Sequence, residues 1–270
     1  MSKETVPQSD ARSDAELLSA HDVLRVLAPN PGPFTLSGTN TWIVGRDPTW
    51  VIDPGPGAAD AHVERIVAAV DARGGLGGIA LTHDHADHSG AVAALLLAHP
   101  APLAAGRGDA DVLLADGARF GPLEALASPG HAPDHFAFIG AKTCFSGDAV
   151  LGEGSVFISP HEGSLAGYLA ALERLRARED FGVICPGHGP VVWDPRAKID
   201  EYIAHRRERE RRLTAALAEG RRTQDELLDA AWSEVPAMLR RAAGVTLAAH
   251  LDKLAQEGAL PQGVERAATV

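Results

Sequence analysis

Apolar and polar positions along the chain follow two different periods. In the first two-thirds, short β-branched and aromatic runs are broken by glycine and proline. From Val23 the chain reads as strand and turn, with Pro31-Gly32-Pro33 a rigid turn. Thr39–Val44 and Trp50–Ile52 read as strands, the second cut off by Asp53-Pro54-Gly55-Pro56-Gly57. Val63, Ile66, Val67 and Val70 then recur at helical spacing, one apolar stripe ended by Gly74-Gly75. The pattern repeats with Gly78–Leu81 as strand, Thr82–Gly90 as loop, Ala91–Ala98 as helix and Leu103–Ala105 as a short strand. Phe136–Phe138, Thr143–Phe145 and Val183–Cys185 read as strands. Leu165–Arg178 reads as a helix with Leu165, Tyr168, Leu169, Leu172 and Leu175 on one side. Alternating short strands and helices predict an α/β layered domain over residues 21–193, behind a polar arm at 1–20.

From residue 194 the period is helical throughout. Asp194-Pro195 is a helix start, with Asp as cap and Pro in the first helical position. Ile199, Tyr202 and Ile203 form one apolar cluster and Leu213, Ala216 and Leu217 another, on either side of His205–Arg212. Thr223-x-x-Glu226 is a capping box opening a second helix with Leu227, Leu228 and Ala231. Val245–Glu257 is a third, ended by Gly258. Residues 194–270 are therefore expected to form a small, mostly helical domain.

Charge sharpens this division. The 270 residues carry a net charge of −11, and all of the excess lies in residues 1–190; residues 191–270 sum to zero. An evenly acidic chain is a poor nucleic-acid binder. Within the neutral part, however, Arg206–Arg222 holds seven Arg against three Glu. That stretch is either a solvated helix face with i,i+4 Glu–Arg pairs or a flank that contacts phosphate, with Arg206 and Arg209 as candidate substrate contacts. The third helix offers Asp252, Lys253 and Glu257 and no Arg or Asn to read base edges, so sequence-specific DNA binding is not expected. The longest apolar run, Ala91–Ala98, is far short of the ~18 residues of a membrane span. The first residues resemble neither a signal nor a transit peptide, and Cys144 and Cys185 read as buried small hydrophobes; a reducing cytoplasm is the expected compartment.

Histidine is the unusual count, 12 against 2 Cys, so any metal here would take nitrogen and oxygen ligands. The strongest signal is His83-Asp84-His85-Ala86-Asp87-His88, between a strand and a helix. On an extended loop His83 and His85 point the same way and can converge on one ion. Asp87 and His88, where the chain turns, can face a second. Gly130-His131, Gly147-Asp148 and Gly187-His188 supply further donors at strand ends, with glycine permitting the sharp turns. A hydroxide shared by two such ions is a strong nucleophile at neutral pH.

These motifs resemble the metallo-beta-lactamase superfamily. The resemblance implies an αββα sandwich with two Zn²⁺ at one edge, Mn²⁺ or Fe²⁺ also suiting the donors. It implies that His83, His85 and His131 hold the first metal, that Asp87, His88 and His188 hold the second, and that Asp148 bridges them. It makes Asp53 a support of the metal loop. Asn30–Gly45, His131–His135, Phe145–Phe157 and Pro186–Val192 look more narrowly like the beta-lactamase-like protein 2 group. That group carries a C-terminal winged-helix-like domain, and its animal member is a single-strand-specific endoribonuclease. By this likeness Thr39 and Asn40 lie near the active-site mouth as candidate substrate contacts, a turn-forming role being the alternative. Asp134 and His135 orient ligands or carry protons, and His161 is a candidate proton donor beside Asp87. The expected function is metal-dependent hydrolysis of a single-stranded RNA-like phosphodiester. The alternatives are a small thioester, lactone or related acyl substrate, a nucleic-acid-binding protein with a vestigial metal site, and iron redox chemistry. Flavin-linked di-iron relatives carry Glu where this chain has His85, which disfavours the last. A homodimer is left open.

Overall fold

The computed structural model describes residues 18–160 and 163–266. Most of the expected polar arm lies outside these residues. Its last part is not a free polar segment, because Leu18 is buried with Val23 and Trp42.

The described residues form two sheets. The first has β1 (Val23–Leu27), β2 (Asn40–Val44), β3 (Thr49–Ile52), β4 (Leu76–Ala80), β5 (Leu103–Ala105) and β6 (Val112–Leu113) side by side in chain order. The second has β7 (Arg119–Phe120), β8 (Leu123–Ala127), β9 (Phe136–Gly140), β10 (Thr143–Gly147) and β11 (Val183–Pro186), also in chain order across the sheet. From β3 to β6 the pairing is parallel, which requires crossovers. These carry α1 (Asp60–Asp71), the one-turn α2 (Ala86–Ser89) and α3 (Val92–Ala98).

Successive residues of a strand point to opposite faces, and here both faces are covered. Trp42, Val44, Ile52, Phe138, Phe145 and Cys185 point inward and form the core between the sheets. Ile43, Val51 and Ile79 point outward onto Ile66 and Val70 of α1 and Leu95 of α3. Ala137, Ile139, Cys144 and Ile184 point outward on the other side, onto α4 (Leu165–Arg176) and α5 (Pro195–Ala218). The result is the expected αββα sandwich. Cys144 and Cys185 lie on opposite faces of the second sheet, and burial pushes the Cys144 thiol up to about 12.

Beyond α5 come α6 (Gln224–Ala231) and α7 (Arg240–Gln256). Asp194 caps α5 through Ala197 N–H, and Thr223 with Glu226 forms the capping box of α6. One continuous α5 serves two cores. Ile199, Tyr202 and Ile203 join the sandwich, whereas Leu213, Ala216 and Leu217 pack with α6 and α7. The third helix starts at Arg240, five residues before the expected Val245. Arg240 and Arg241 carry no apolar mark; Arg240 is held instead by Asp225 and Asp229 of α6. No described helix is long and apolar enough to cross a membrane.

Candidate metal centre

Strand direction gathers the site. β8, β10 and β11 run the same way, so the residues that follow them, His131, Asp148 and His188, emerge at one edge of the second sheet. His83 and His85 follow β4 at the matching edge of the first sheet, and Asp87 and His88 sit on α2.

All seven side chains converge. His85 Nδ1 is 2.9 Å from His83 Nε2 and 3.1 Å from His131 Nε2. His188 Nε2 is 3.2 Å from His88 Nε2 and 3.3 Å from Asp87 Oδ2. Asp148 lies between these two groups, with Oδ1 3.5 Å from His88 Nε2 and Oδ2 3.4 Å from His188 Nε2 and 3.6 Å from His131 Nε2. His83, His85 and His131 form one set able to hold an ion, and Asp87, His88 and His188 form another.

The outer nitrogens show why these rings suit a cation. His131 Nδ1 donates to Phe157 O at 2.8 Å, and a carbonyl can only accept, so Nε2 carries the lone pair. His88 Nδ1 meets Asp53 Oδ2 at 2.8 Å, His83 Nδ1 meets Thr82 Oγ1 at 3.0 Å, and His188 Nδ1 meets Gly38 O at 3.4 Å. Lone pairs facing one another repel unless a positive charge lies between them. Asp148 Oδ1 is buried with no hydrogen-bond donor. Burial alone would raise the Asp148 carboxyl, but His188 and His88 outweigh it and hold it well below the usual carboxylate range. Burial lowers His188, yet Asp148 and Asp87 carry it up to about 10. Two carboxylates thus demand positive charge at this edge. The donor set fits divalent cations bound by imidazole and carboxylate.

The supporting residues explain the geometry. Asp53 has a left-handed backbone, φ +51°, which is rare for a non-glycine residue. Its carboxylate accepts from Thr82 N–H at 2.8 Å and Thr82 Oγ1 at 2.7 Å as well as from His88. One side chain therefore fixes both the start of the metal loop and a ligand. Asp134 Oδ2 accepts from the Asp84 N–H, midway between His83 and His85; burial and Asp84 raise its carboxyl. Gly187 is required by closeness: a Cβ there would lie 2.5 Å from Asp148 Oδ1. Thr82 and the Phe157 carbonyl were not anticipated from sequence. Adjacency to His83 marks the first, but a backbone carbonyl 26 residues from His131 leaves no sequence trace.

Other expected site residues take inward positions. His135 sits where a ligand orienter would, behind Asp148. It is 1% exposed, its Nε2 accepts from Asp148 N–H, and its Nδ1 meets Ser128 Oγ. Burial and the neighbouring His131 hold it down at about 3, and its contact with the centre is through the Asp148 backbone. Thr39 and Asn40 are buried rather than substrate-facing. Asn40 Nδ2 donates to Pro186 O and Gly189 O and splints the turn that presents His188, while Thr39 Oγ1 reaches Asp87 Oδ2 at 3.4 Å. His161 lies outside the described residues.

Arg206 and Arg209 do not form a phosphate-facing flank either. They fall on the stripe of α5 that packs inward with Tyr202 and Leu213. Arg206 donates to Val156 O and Ser155 Oγ and stacks over Tyr168. Arg209 bonds Ala231 O and Glu234 and lies over Trp232. Of their neighbours, Arg207 pairs with Glu173, and Arg211 and Arg212 with Glu208.

Known proteins resemble both parts of the chain. Residues 34–127 match the metallo-beta-lactamase superfamily, and residues 223–262 match the beta-lactamase associated winged helix domain. A beta-lactamase-like protein 2 homolog of Caenorhabditis elegans is 31% identical, over 87% of this chain and 85% of its own. An atrochrysone carboxyl ACP thioesterase of Aspergillus chevalieri is 36% identical, over 74% of this chain and 67% of its own. The crystal structure of a beta-lactamase domain protein from Burkholderia ambifaria superposes with a TM-score of 0.75 at 20% identity, covering 90% of each chain. The chain belongs to the metallo-beta-lactamase superfamily of metal-dependent hydrolases.

Proposed function

We propose that this chain is a binuclear hydrolase, with Zn²⁺ in both positions, acting on an acyl ester or thioester. The observation that carries the choice of substrate is the inward packing of Arg206 and Arg209. These two are the candidate substrate contacts within the Arg206–Arg222 stretch, and both are occupied by internal partners. A neutral acyl carbonyl needs no cationic track, and its developing oxyanion needs only the charge at the reacting centre. A relative named as a thioesterase supports the same reading.

When bound, the metal pair supplies Lewis-acid polarisation and brings water to ionise near neutral pH. The rest is done by the chain. His83, His85 and His131 would hold one ion and Asp87, His88 and His188 the other, with the Asp148 carboxylate lying between the two sets. Asp53 fixes the protonated Nδ1 of His88, so that Nε2 stays the donor. His135 holds the Asp148 backbone. The Asp87 side chain keeps 30% of its surface open, against 12% for Asp148. It is the more exposed carboxylate of the centre, and we assign it the attacking water's proton.

The test is turnover by Zn²⁺-loaded protein of a thioester panel and of labelled single-stranded RNA, with His83→Ala as control. Thioester cleavage above the control is expected. RNA cleavage without thioester cleavage would overturn the reading.

A further inference from the structure

We propose that the cavity between the Pro33-Phe34 turn, Phe157 and the start of α7 seats the apolar acyl group of the substrate, so that the C-terminal helical region selects substrate for the metal centre. This inference rests on the acyl-hydrolase reading and deepens it.

The cavity has a volume of about 410 Å³ and is lined by Pro33, Phe34, Phe157, Met238, Leu239 and Val245, with Arg241 its one charged lining residue. That volume suits a small molecule, and a mainly apolar wall suits an acyl chain and not a sugar-phosphate backbone. Phe34 and Phe157 meet edge to face with ring centroids 5.5 Å apart. Large apolar side chains are also left open at its rim: Phe34 is 58% exposed and Met238 87%. Such a patch beside a cavity marks a binding surface.

Two connections tie this cavity to the reacting centre. Phe157 O accepts from His131 Nδ1 at 2.8 Å, so one aromatic wall is the backbone partner of a metal-binding histidine. The segment that carries Phe34 returns through Gly38, whose carbonyl faces His188 Nδ1 at 3.4 Å. Thr39 then bridges to His188. The walls thus hang from one histidine of each metal set. An acyl chain lying against the Phe34–Phe157 pair therefore packs on the two segments that support those histidines. The third wall, Met238 to Val245, comes from the far end of the sequence. The apolar acyl group completes a surface that neither part forms alone.

Occupancy can be read without turnover. The chain has two methionines, Met1 and Met238, so methyl-¹³C methionine labelling gives a nearly isolated reporter on the cavity rim. Added to metal-free protein, decanoate is expected to shift the Met238 methyl saturably. Acetate should not, and Val245→Trp, which fills the cavity, should remove the response. In the metal-loaded enzyme kcat/KM should rise from acetyl to hexanoyl to decanoyl thioester. About fourfold per buried methylene is the upper bound. Val245→Trp should cut the decanoyl-to-acetyl ratio at least tenfold. Met238→Glu, a change at an exposed position that folding tolerates, should cut it in the same direction. Equal turnover of all chain lengths with an unmoved Met238 methyl would overturn the pocket and leave the acyl-hydrolase reading standing. A methyl shift that follows protein concentration and not decanoate would mark a self-association face and also overturn it. Absence of thioester turnover by metal-loaded wild-type enzyme would remove the underlying reading itself.

Discussion

Two regions of this molecule bury polar side chains deeply, and they treat them in opposite ways. At the strand edge, His83, His88, His131 and His188 give their outer nitrogens to protein partners and turn their inner nitrogens on one another and on Asp148. Along α5, Arg206 and Arg209 are equally buried, but their terminal guanidinium nitrogens end on carbonyls, a hydroxyl, a carboxylate and aromatic faces, and among their buried nitrogens only the Nε of each lacks a partner. Burial of a charged group therefore does not mark function. Convergence of lone pairs that the protein itself leaves without a counter-charge does.

Breaking the first region should have the largest effect. Asp148→Ala removes the carboxylate between the two metal sets and should abolish hydrolysis while the circular dichroism spectrum stays that of wild type. Asp53→Ala leaves every donor in place but frees His88 and Thr82. Metal affinity measured by competition with a chelator should fall about 10- to 100-fold. Unchanged affinity would mean that the left-handed Asp53 has no part in holding the centre.

The second region should fail differently. Arg209→Met loses bonds to Ala231 and Glu234 and should cost about 2 kcal/mol in denaturant unfolding, with KM for an acyl substrate unaltered. A raised KM at wild-type stability would instead make Arg209 a substrate contact and dissolve the contrast. A pH series probes histidines outside the metal edge, one on α1 and one on α5. Burial, then Arg65, lowers His62 in the sandwich to about 4; burial, then Arg206 and Arg209, lowers His205 on α5 to about 4. The unfolded chain takes up these protons near 6.5 and the folded chain only near 4. Stability from this source is present above about pH 6.5 and is lost as pH falls toward 4. The melting temperature should drop by a few degrees across that window, and His62→Gln should flatten part of the drop. The smallest effect is expected at Thr223→Ala, which removes a helix cap from α6 and should cost about 1 kcal/mol without touching the metal edge.

The seven donors were legible in sequence because each sits within one or two residues of a glycine or another donor, a local pattern. The sandwich was legible where β-branched and aromatic residues mark strands, as in Thr39–Val44. β8, LEALA, was missed because it lacks them and is held by pairing with β9. The arginines of α5 stayed ambiguous for a related reason: the same spacing serves a solvated face and a buried stripe, and only tertiary packing decides. The cavity at Phe34 and Met238 was invisible, since its walls lie some two hundred residues apart in the chain.

The most direct measurement is metal stoichiometry by native mass spectrometry of protein equilibrated with Zn²⁺. Two ions per wild-type chain are expected, and fewer in Asp148→Ala. A wild-type chain that takes up one ion or none would contradict the binuclear centre on which the rest depends.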